Sequence, residues 1–304
     1  SNRLTMKTTG KYVVAALRGS DEIAVMSQGD PSGADPVAEL ELLARIPVGD
    51  AASDSPRDTA LTNDHSRAYV TLSNSGKVAV VDMIAMRQVD VDPVVDGTNQ
   101  IALPAGARPF WIEIDPQDQF AYVSDELQPS IYVIDINPRS PDFNKSIRTI
   151  SLPAAQTPHG LRQLAISEDG HKLYAAAPNR ILYGGPTIST SYIHVVNIDP
   201  NDRPKTEANP KKYWKLIGSV ATGQEAYGVQ TTGDPNVIAI ANRGSDSEGF
   251  GVLAVQNQDP KNFSATVRHV PLHLGSAQDT LDVNNATSAL ILPADALKSA
   301  IGPH

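Results

Sequence analysis

Three arginines, one histidine and two aromatic residues stand just before short apolar segments of this chain, where their side chains could hold a ligand. These residues are Arg57, Arg108, Phe110, His159, Arg162 and Tyr227. Guanidinium groups recognise carboxylates and phosphates through paired N–H donors, and a histidine beside them could transfer a proton. The pattern indicates a site for a small carboxylate or phosphate ligand, in which His159 and Arg162 are the candidates for catalysis.

A structural role is the alternative interpretation of the same residues. Asp58 and Asp279 occupy similar positions, so the arginines could pair with acidic neighbours and close the opening. We favour this pairing, because an arginine beside an aspartate is satisfied without any ligand.

The other six histidines show no ligand spacing. His269 and His273 could share one face of a strand, but Pro271 lies between them and no third ligand is near. No metal or other cofactor is predicted. Weak calcium binding remains an alternative for three oxygen-rich loops, at residues 29–36, 199–204 and 244–249.

Adjacent carboxylates favour turns over acid–base chemistry. The pairs Asp21–Glu22, Asp125–Glu126 and Glu168–Asp169 each fall where a turn is expected. The chain also lacks a nucleophile-elbow motif, a phosphate-binding loop, a dinucleotide fingerprint and an EF-hand loop.

Composition narrows the class of protein. The 304 residues include 21 glycines and 23 prolines but only 5% aromatic residues, which favours a turn-rich β protein. A net charge of -9 without a basic run argues against nucleic-acid binding. No apolar stretch is long enough to span a membrane, and the absence of cysteine excludes disulfides and thiolate metal sites.

A repeat of about fifty residues explains how the candidate residues are positioned. Each unit has an apolar strand, a turn, an alternating strand and a strand that ends near Asp. Equivalent positions were assigned to Tyr12, Tyr69, Tyr122, Tyr174, Ile238 and Leu290, which are 57, 53, 52, 64 and 52 residues apart. Such a period indicates a repeat architecture.

A fourth strand completes each of the first five units. It is expected near residues 39–48, 87–91 or 100–103, 146–152, 213–220 and 264–272. The first of these segments has good helix formers, but its apolar residues alternate with a period of two, so a strand is predicted. Four short strands per unit predict an all-β propeller of four-stranded antiparallel blades, whose innermost strands begin at the candidate residues and line a central channel.

Two copies of the repeat resemble the bacterial YVTN propeller family. They are Ala68-Tyr-Val-Thr-Leu-Ser-Asn-Ser-Gly-Lys-Val-Ala-Val-Val-Asp82 and Phe120-Ala-Tyr-Val-Ser-Asp125, the latter continued by Ile131-Tyr-Val-Ile-Asp135. Because these residues belong to the core and the turns, the resemblance specifies the fold and says little about function. It also implies that His159, in Pro158-His-Gly160, lies where related propellers hold metals, hemes or lactone substrates.

The predicted organisation is a single domain of five blades and a partial sixth. The blades cover about residues 4–57, 58–109, 110–160, 161–226 and 227–278, with the partial blade at 279–304, where a short terminal helix is expected from Pro293. Either the sixth blade is short, or the chain is a piece of a longer protein with six or seven blades, and we favour the second interpretation.

Three functions are considered for the chain. The favoured one is a non-enzymatic binding or scaffold module of a secreted or cell-envelope bacterial protein, located in the periplasm, outside the cell or on its surface. Its loops would recognise a protein or a glycan. The alternative is an enzyme of the lactonase or lyase type that acts on a small carboxylated substrate in the central channel. An electron-transfer accessory is a third possibility, but the chain has no heme-attachment motif or cysteine.

Overall fold

The structure is a computed structural model, and it describes residues 5–8, 12–27, 41–50, 53–92, 94–95, 97, 99–179, 190–203, 212–243 and 249–269. The described chain forms five antiparallel sheets, of which four have four consecutive strands and one has five. Two short 3-10 helices, Ala154–Gln156 and Pro200–Asp202, are the helical elements of this part of the chain. Among the described residues, no helix is long and apolar enough to cross a bilayer.

The chain divides into two compact units, one made of Ser1–Ala154 with Pro158–Arg162 and the other of Ala155–Thr157 with Gln163–His304. The single-domain organisation with its blade bounds remains a prediction.

The first unit contains three sheets. The first sheet comprises β1 (Thr5–Thr8), β2 (Tyr12–Leu17), β3 (Glu22–Ser27) and β4 (Glu41–Pro47). The second comprises β5 (Pro56–Leu61), β6 (Arg67–Leu72), β7 (Lys77–Asp82), β8 (Arg87–Gln88) and β9 (Gln100–Ala102). The third comprises β10 (Pro109–Ile114), β11 (Phe120–Asp125), β12 (Ser130–Asp135) and β13 (Lys145–Ser151).

The second unit contains two sheets. One comprises β14 (Leu164–Ile166), β15 (Lys172–Ala177), β16 (Ser191–Asn197) and β17 (Lys215–Thr222). The other comprises β18 (Ala226–Thr231), β19 (Val237–Asn242), β20 (Phe250–Asn257) and β21 (Ser264–His269).

These sheets confirm the predicted all-β fold of four-stranded antiparallel blades. The segment that was predicted as a strand despite its helix formers is β4. In the second blade both candidate fourth strands are present, since β8 and β9 each pair with β7. The partial sixth blade and the terminal helix lie outside the described residues.

The strand bounds correct two of the equivalent positions. Tyr69, Tyr122 and Tyr174 are each the third residue of their strand, but the third residues of β2 and β19 are Val14 and Ala239. Tyr12 and Ile238 therefore do not share the position of the three tyrosines. The spacing of apolar residues does not specify which residue of a strand is the equivalent one, because any apolar residue of an alternating strand satisfies the pattern.

Apolar side chains pack between neighbouring sheets within each unit. In the first unit, one cluster joins the first and second sheets through residues such as Val25 and Val70. Another joins the second and third sheets and includes Tyr69 and Tyr132. In the second unit, a single cluster that includes Tyr174 joins the two sheets. Stacked blades thus bury the alternate residues of their strands.

Candidate functional site

A β-bulge occurs at the start of the innermost strand in three blades. The pairing register shifts between Pro56 and Thr59 in β5, between Pro109 and Ile112 in β10, and between Ala226 and Gly228 in β18. A bulge changes the direction of the side chains within it and is common beside active sites. Arg57, Phe110 and Tyr227 occupy these bulges, and Arg162 lies two residues before β14 at the equivalent place.

In the first unit, a hydroxyl group joins the second blade to β10, and another joins the third blade to the segment that carries Arg162. Thr71 Oγ1 accepts from the Asp58 N–H at 3.0 Å, and its single proton is shared between the carbonyls of Asp58 and Phe110, at 3.3 and 3.4 Å. Ser124 Oγ repeats the arrangement, accepting from the Trp111 N–H at 3.1 Å and donating to the Arg162 carbonyl at 2.8 Å. The hydroxyl at this repeat position, from Thr71 or Ser124, therefore bonds to the segments that carry Arg57, Phe110 and Arg162.

Two arginines lie against the ring of Phe110. The guanidinium carbon of Arg57 is 4.2 Å from the ring centroid, and that of Arg162 is 5.3 Å from it. Both distances allow a cation–π interaction, which is stronger where water is excluded. Phe110 is buried, and the Arg57 side chain is only 12% exposed. The structure thus brings together Arg57, Phe110 and Arg162 of the predicted site residues.

Glu126 is the acidic member of this cluster. Its Oε1 lies 3.5 Å from Nη2 of Arg57, and its backbone carbonyl accepts from Nη1 of Arg162 at 3.0 Å. Sequence reasoning treated Glu126 as a turn residue with Asp125. The ion pair joins residues 69 positions apart in the chain, and no local pattern indicates such a contact.

The segment that carries His159 is pressed against Glu126. Gly160 has a φ of 65°, and a Cβ atom there would lie 2.3 Å from the carbonyl carbon of Glu126. Only glycine can adopt this conformation at so close an approach. Nη1 of Arg162 also donates to the carbonyls of His159 and Leu161, at 3.2 and 2.8 Å. These contacts place the half-buried His159 beside the arginine cluster.

Asp125 stabilises the same end of the third blade through four hydrogen bonds. Its fully buried carboxylate accepts from the N–H groups of Arg108, Leu127 and Gln128 and from the Tyr132 hydroxyl, each at 2.8 Å. Burial, followed by the bond to Asp125, raises the pKa of Tyr132. The turn role predicted for Asp125 agrees with these contacts.

Tyr227 belongs to the second unit, where it has a different set of neighbours. The guanidinium carbon of Arg243 is 5.6 Å from its ring centroid, and Arg243 Nη1 lies 4.0 Å from Glu225 Oε1. The other five predicted residues, Arg57, Arg108, Phe110, His159 and Arg162, belong to the first unit. Asp279 lies outside the described residues.

Metal binding has no geometric support within the described part of the chain, where no three His, Cys, Asp or Glu side chains form a group that could hold an ion. In the loop at residues 199–204, Asp199 caps the helix Pro200–Asp202 and Asp202 accepts from Asn197. The loop at 29–36, nearly all of that at 244–249, and His273 lie outside the described residues.

Part of the chain, which includes the third blade, matches a known protein family. Residues 82–214 match the family model described as Lactonase, 7-bladed beta-propeller. This match covers less than half of the chain, and it includes Arg108, Phe110, Glu126, His159 and Arg162 but not Arg57 or Tyr227. A comparison with curated protein sequences gives no match.

Solved structures share the fold at low sequence identity. Hydrazine synthase from Kuenenia stuttgartiensis aligns with a TM-score of 0.61 and 18% identity over 88% of this chain and 65% of its own. A candidate 6-phosphogluconolactonase from Bacteroides uniformis gives 0.61 and 16% over 88% and 71%. A second candidate, from Bacteroides fragilis, gives 0.60 and 14% over 88% and 70%. The chain thus spans less than two thirds of the hydrazine synthase chain.

These matches correct the favoured functional prediction. A non-enzymatic binding or scaffold module of a secreted or cell-surface protein is overturned by the lactonase family match and by the 6-phosphogluconolactonase-like neighbours, which support the enzymatic alternative. The prediction failed because the repeat consists of core and turn residues, and these carry no information on chemistry. The predicted resemblance to a bacterial propeller family is supported in part. The matches are to lactonase-type propellers, and none of them shows the YVTN repeat itself.

Proposed function

We propose that this chain is a lactonase-like hydrolase that opens the ring of a small lactone carrying a carboxylate or a phosphate. One observation carries the proposal. Arg57 and Arg162 are fixed on the ring of Phe110 beside Glu126, and most of this cluster falls within the segment that matches the lactonase model.

The reaction requires water, a base and a group that stabilises negative charge. Water adds to the lactone carbonyl while a base takes its proton, and the carbonyl oxygen becomes an oxyanion. The C–O bond of the ring then breaks, the ring oxygen receives the proton, and a hydroxy acid results. Preorganised cationic donors lower the energy of the oxyanion, because they need no reorientation during the reaction. Arg57, held by Phe110 and Glu126, fits this role.

His159 is the proposed general base. An imidazole exchanges protons near neutral pH, and the segment 158–162 holds this residue next to the cluster. Glu126 is the competing base, since its carboxylate is partly exposed and lies beside Arg57. A positioned base contributes about 100-fold to 10,000-fold to the rate.

Proton release from a panel of lactones tests the proposal. The panel includes a phosphorylated sugar lactone, a carboxylated lactone and a neutral lactone, each with its uncatalysed rate subtracted. We expect His159→Gln to lower kcat by about 100-fold or more. His171→Gln, in the second unit, is the matched control and should retain full activity.

Two results would count against parts of this mechanism. Unchanged turnover in His159→Gln together with loss in Glu126→Gln would transfer the role of base to Glu126. If the unaltered protein hydrolysed none of the lactones, the hydrolase proposal would fall.

A further inference from the structure

Among the three arginines of the first unit that were predicted to bind a ligand, Arg108 differs from the other two in its contacts. Arg57 is paired with Glu126, and one Nη of Arg162 donates to three backbone carbonyls. The side chain of Arg108 forms no hydrogen bond or ion pair with any residue that the structure describes. We propose that Arg108 is the residue that binds the anionic group of the ligand, an inference that rests on the proposed hydrolase function.

The backbone of Arg108 is fixed on both sides. Its N–H donates to Oδ2 of Asp125 at 2.8 Å, and its carbonyl accepts from the Glu126 N–H at 2.8 Å. The backbones of Arg108 and Glu126 are therefore paired directly, and the Glu126 carboxylate contacts Arg57. A side chain anchored in this way loses little additional backbone entropy when it binds a ligand.

The orientation of the guanidinium group follows from its burial. Arg108 is half-buried, and its Nε is inaccessible to solvent and bonded to none of the described residues. The two Nη atoms are not fully buried and have no hydrogen-bond partner among the described residues. Nε is thus enclosed, while both Nη groups are available to a ligand.

The exposed fork matches a carboxylate or a phosphate. Two parallel N–H groups can bind two oxygens of such an anion, which a lysine ammonium cannot do with the same geometry. The neighbouring Glu126, whose N–H donates to the Arg108 carbonyl, already pairs its carboxylate with Arg57. Asp58 and Asp125 are fully buried and already accept backbone N–H bonds.

The division of roles follows from these contacts. Arg57 and Arg162 are held by protein groups, as the oxyanion role proposed for Arg57 requires, whereas Arg108 selects ligands that carry a negative charge. Anionic ligands should therefore lose affinity when Arg108 is replaced, and neutral ligands of the same shape should not.

Isothermal titration calorimetry at low ionic strength tests this assignment without requiring turnover. The probes are inorganic phosphate, D-gluconate as an open-chain hydroxy carboxylate, and D-glucitol as its neutral counterpart. We expect Arg108→Gln to weaken the binding of phosphate and gluconate by about tenfold or more, as for other charge-assisted hydrogen bonds. Glucitol should bind the unaltered protein and the variant equally weakly.

Arg139→Gln is the matched control. Arg139 is exposed and follows β12, at the opposite end of the third blade from Arg108. Its replacement changes the net charge by the same amount and should leave gluconate affinity unchanged. Should Arg108→Gln fail to fold, Arg108→Lys keeps the charge, and it should bind gluconate at least about threefold more weakly because the fork is lost.

Several results would overturn the assignment. One is a gluconate affinity of Arg108→Gln that equals that of the unaltered protein; where only Arg108→Lys folds, the same result for that variant counts. Another is a loss of gluconate affinity in Arg139→Gln as large as that in the Arg108 variant. Gluconate binding that depends on Arg108, in a protein that hydrolyses no lactone, would leave the anion site standing and remove the hydrolase. If Arg108→Gln hydrolysed anionic lactones with an unchanged KM, the hydrolase proposal would stand and the assignment of Arg108 as the anion site would fail.

Discussion

Ser124 Oγ donates a 2.8 Å hydrogen bond to the backbone carbonyl of Arg162, 38 residues further along the chain. The same hydroxyl accepts from the Trp111 N–H. One side chain thus joins the innermost strand of the third blade to the segment that carries His159 and Arg162.

Replacing Ser124 with alanine should weaken both stability and activity. Two backbone groups lose their partner, so we expect the free energy of unfolding to fall by about 1–3 kcal/mol. Urea denaturation measures this change, and Ser151→Ala, on the exposed face of β13, is the control with little effect. A Ser124→Ala protein as stable as Ser151→Ala would show that the bridge contributes nothing.

Gly160 should tolerate no side chain. Gly160→Ala combines a positive φ with a Cβ atom placed against the backbone of Glu126. Gly233 also has a positive φ, of 86°, but has no atom within 4 Å of the added Cβ, so Gly233→Ala measures the conformational cost alone, about 1–2 kcal/mol. Thermal unfolding should show a clearly larger loss for Gly160→Ala. Equal losses would contradict a close approach at Glu126.

Asp125 and Tyr132 should be energetically coupled. Asn at position 125 cannot accept all four hydrogen bonds of the carboxylate, and Asp125→Asn should cost about 2–3 kcal/mol of stability. Tyr132→Phe removes one of the four donors. The double variant should therefore lose less than the sum of the single variants, by about 1 kcal/mol in a double-mutant cycle. Strict additivity would argue against a direct bond between the two side chains.

His194 should make the protein sensitive to mild acid. It is fully buried, and burial lowers its pKa to about 4. Its ring nitrogens lie 2.8 Å from the hydroxyls of Thr157 and Ser219. A histidine in the unfolded chain binds a proton below about pH 6.5, whereas the buried His194 of the folded protein does not. The contribution of neutral His194 to the free energy of unfolding is therefore complete above about pH 6.5 and decreases as the pH falls towards 4.

The size of this effect can be measured directly. A shift of this magnitude corresponds to about 3 kcal/mol between pH 7 and pH 4. Urea denaturation across this range should show a flatter pH dependence for His194→Gln than for the unaltered protein. Identical slopes for the two proteins would mean that His194 is readily protonated in the folded state.

The sequence allowed the blades and part of the site to be predicted. Strand alternation and the repeat located β4 and the innermost strands, and the residues at their starts led to Arg57, Phe110 and Arg162. Glu126 and Ser124 were missed because their contacts cross between blades. A detectable signal did exist for Ser124, since Thr71 and Ser124 stand at the same position of successive repeats. The bulges that direct the arginines depend on strand register, which a single sequence does not specify.

The hydroxyl bridge has a consequence for the spacing of the innermost strands. In the fourth blade the position equivalent to Thr71 and Ser124 is Ala176, and there the Gln163 N–H donates directly to the Tyr227 carbonyl at 3.3 Å. Where a hydroxyl intervenes, the same two backbone groups are separated by two hydrogen bonds instead of one. Because removal of the hydroxyl from Thr71 or Ser124 leaves two backbone groups without a partner, alanine at this repeat position is compatible with full backbone bonding only where those groups approach as closely as Gln163 and Tyr227 do.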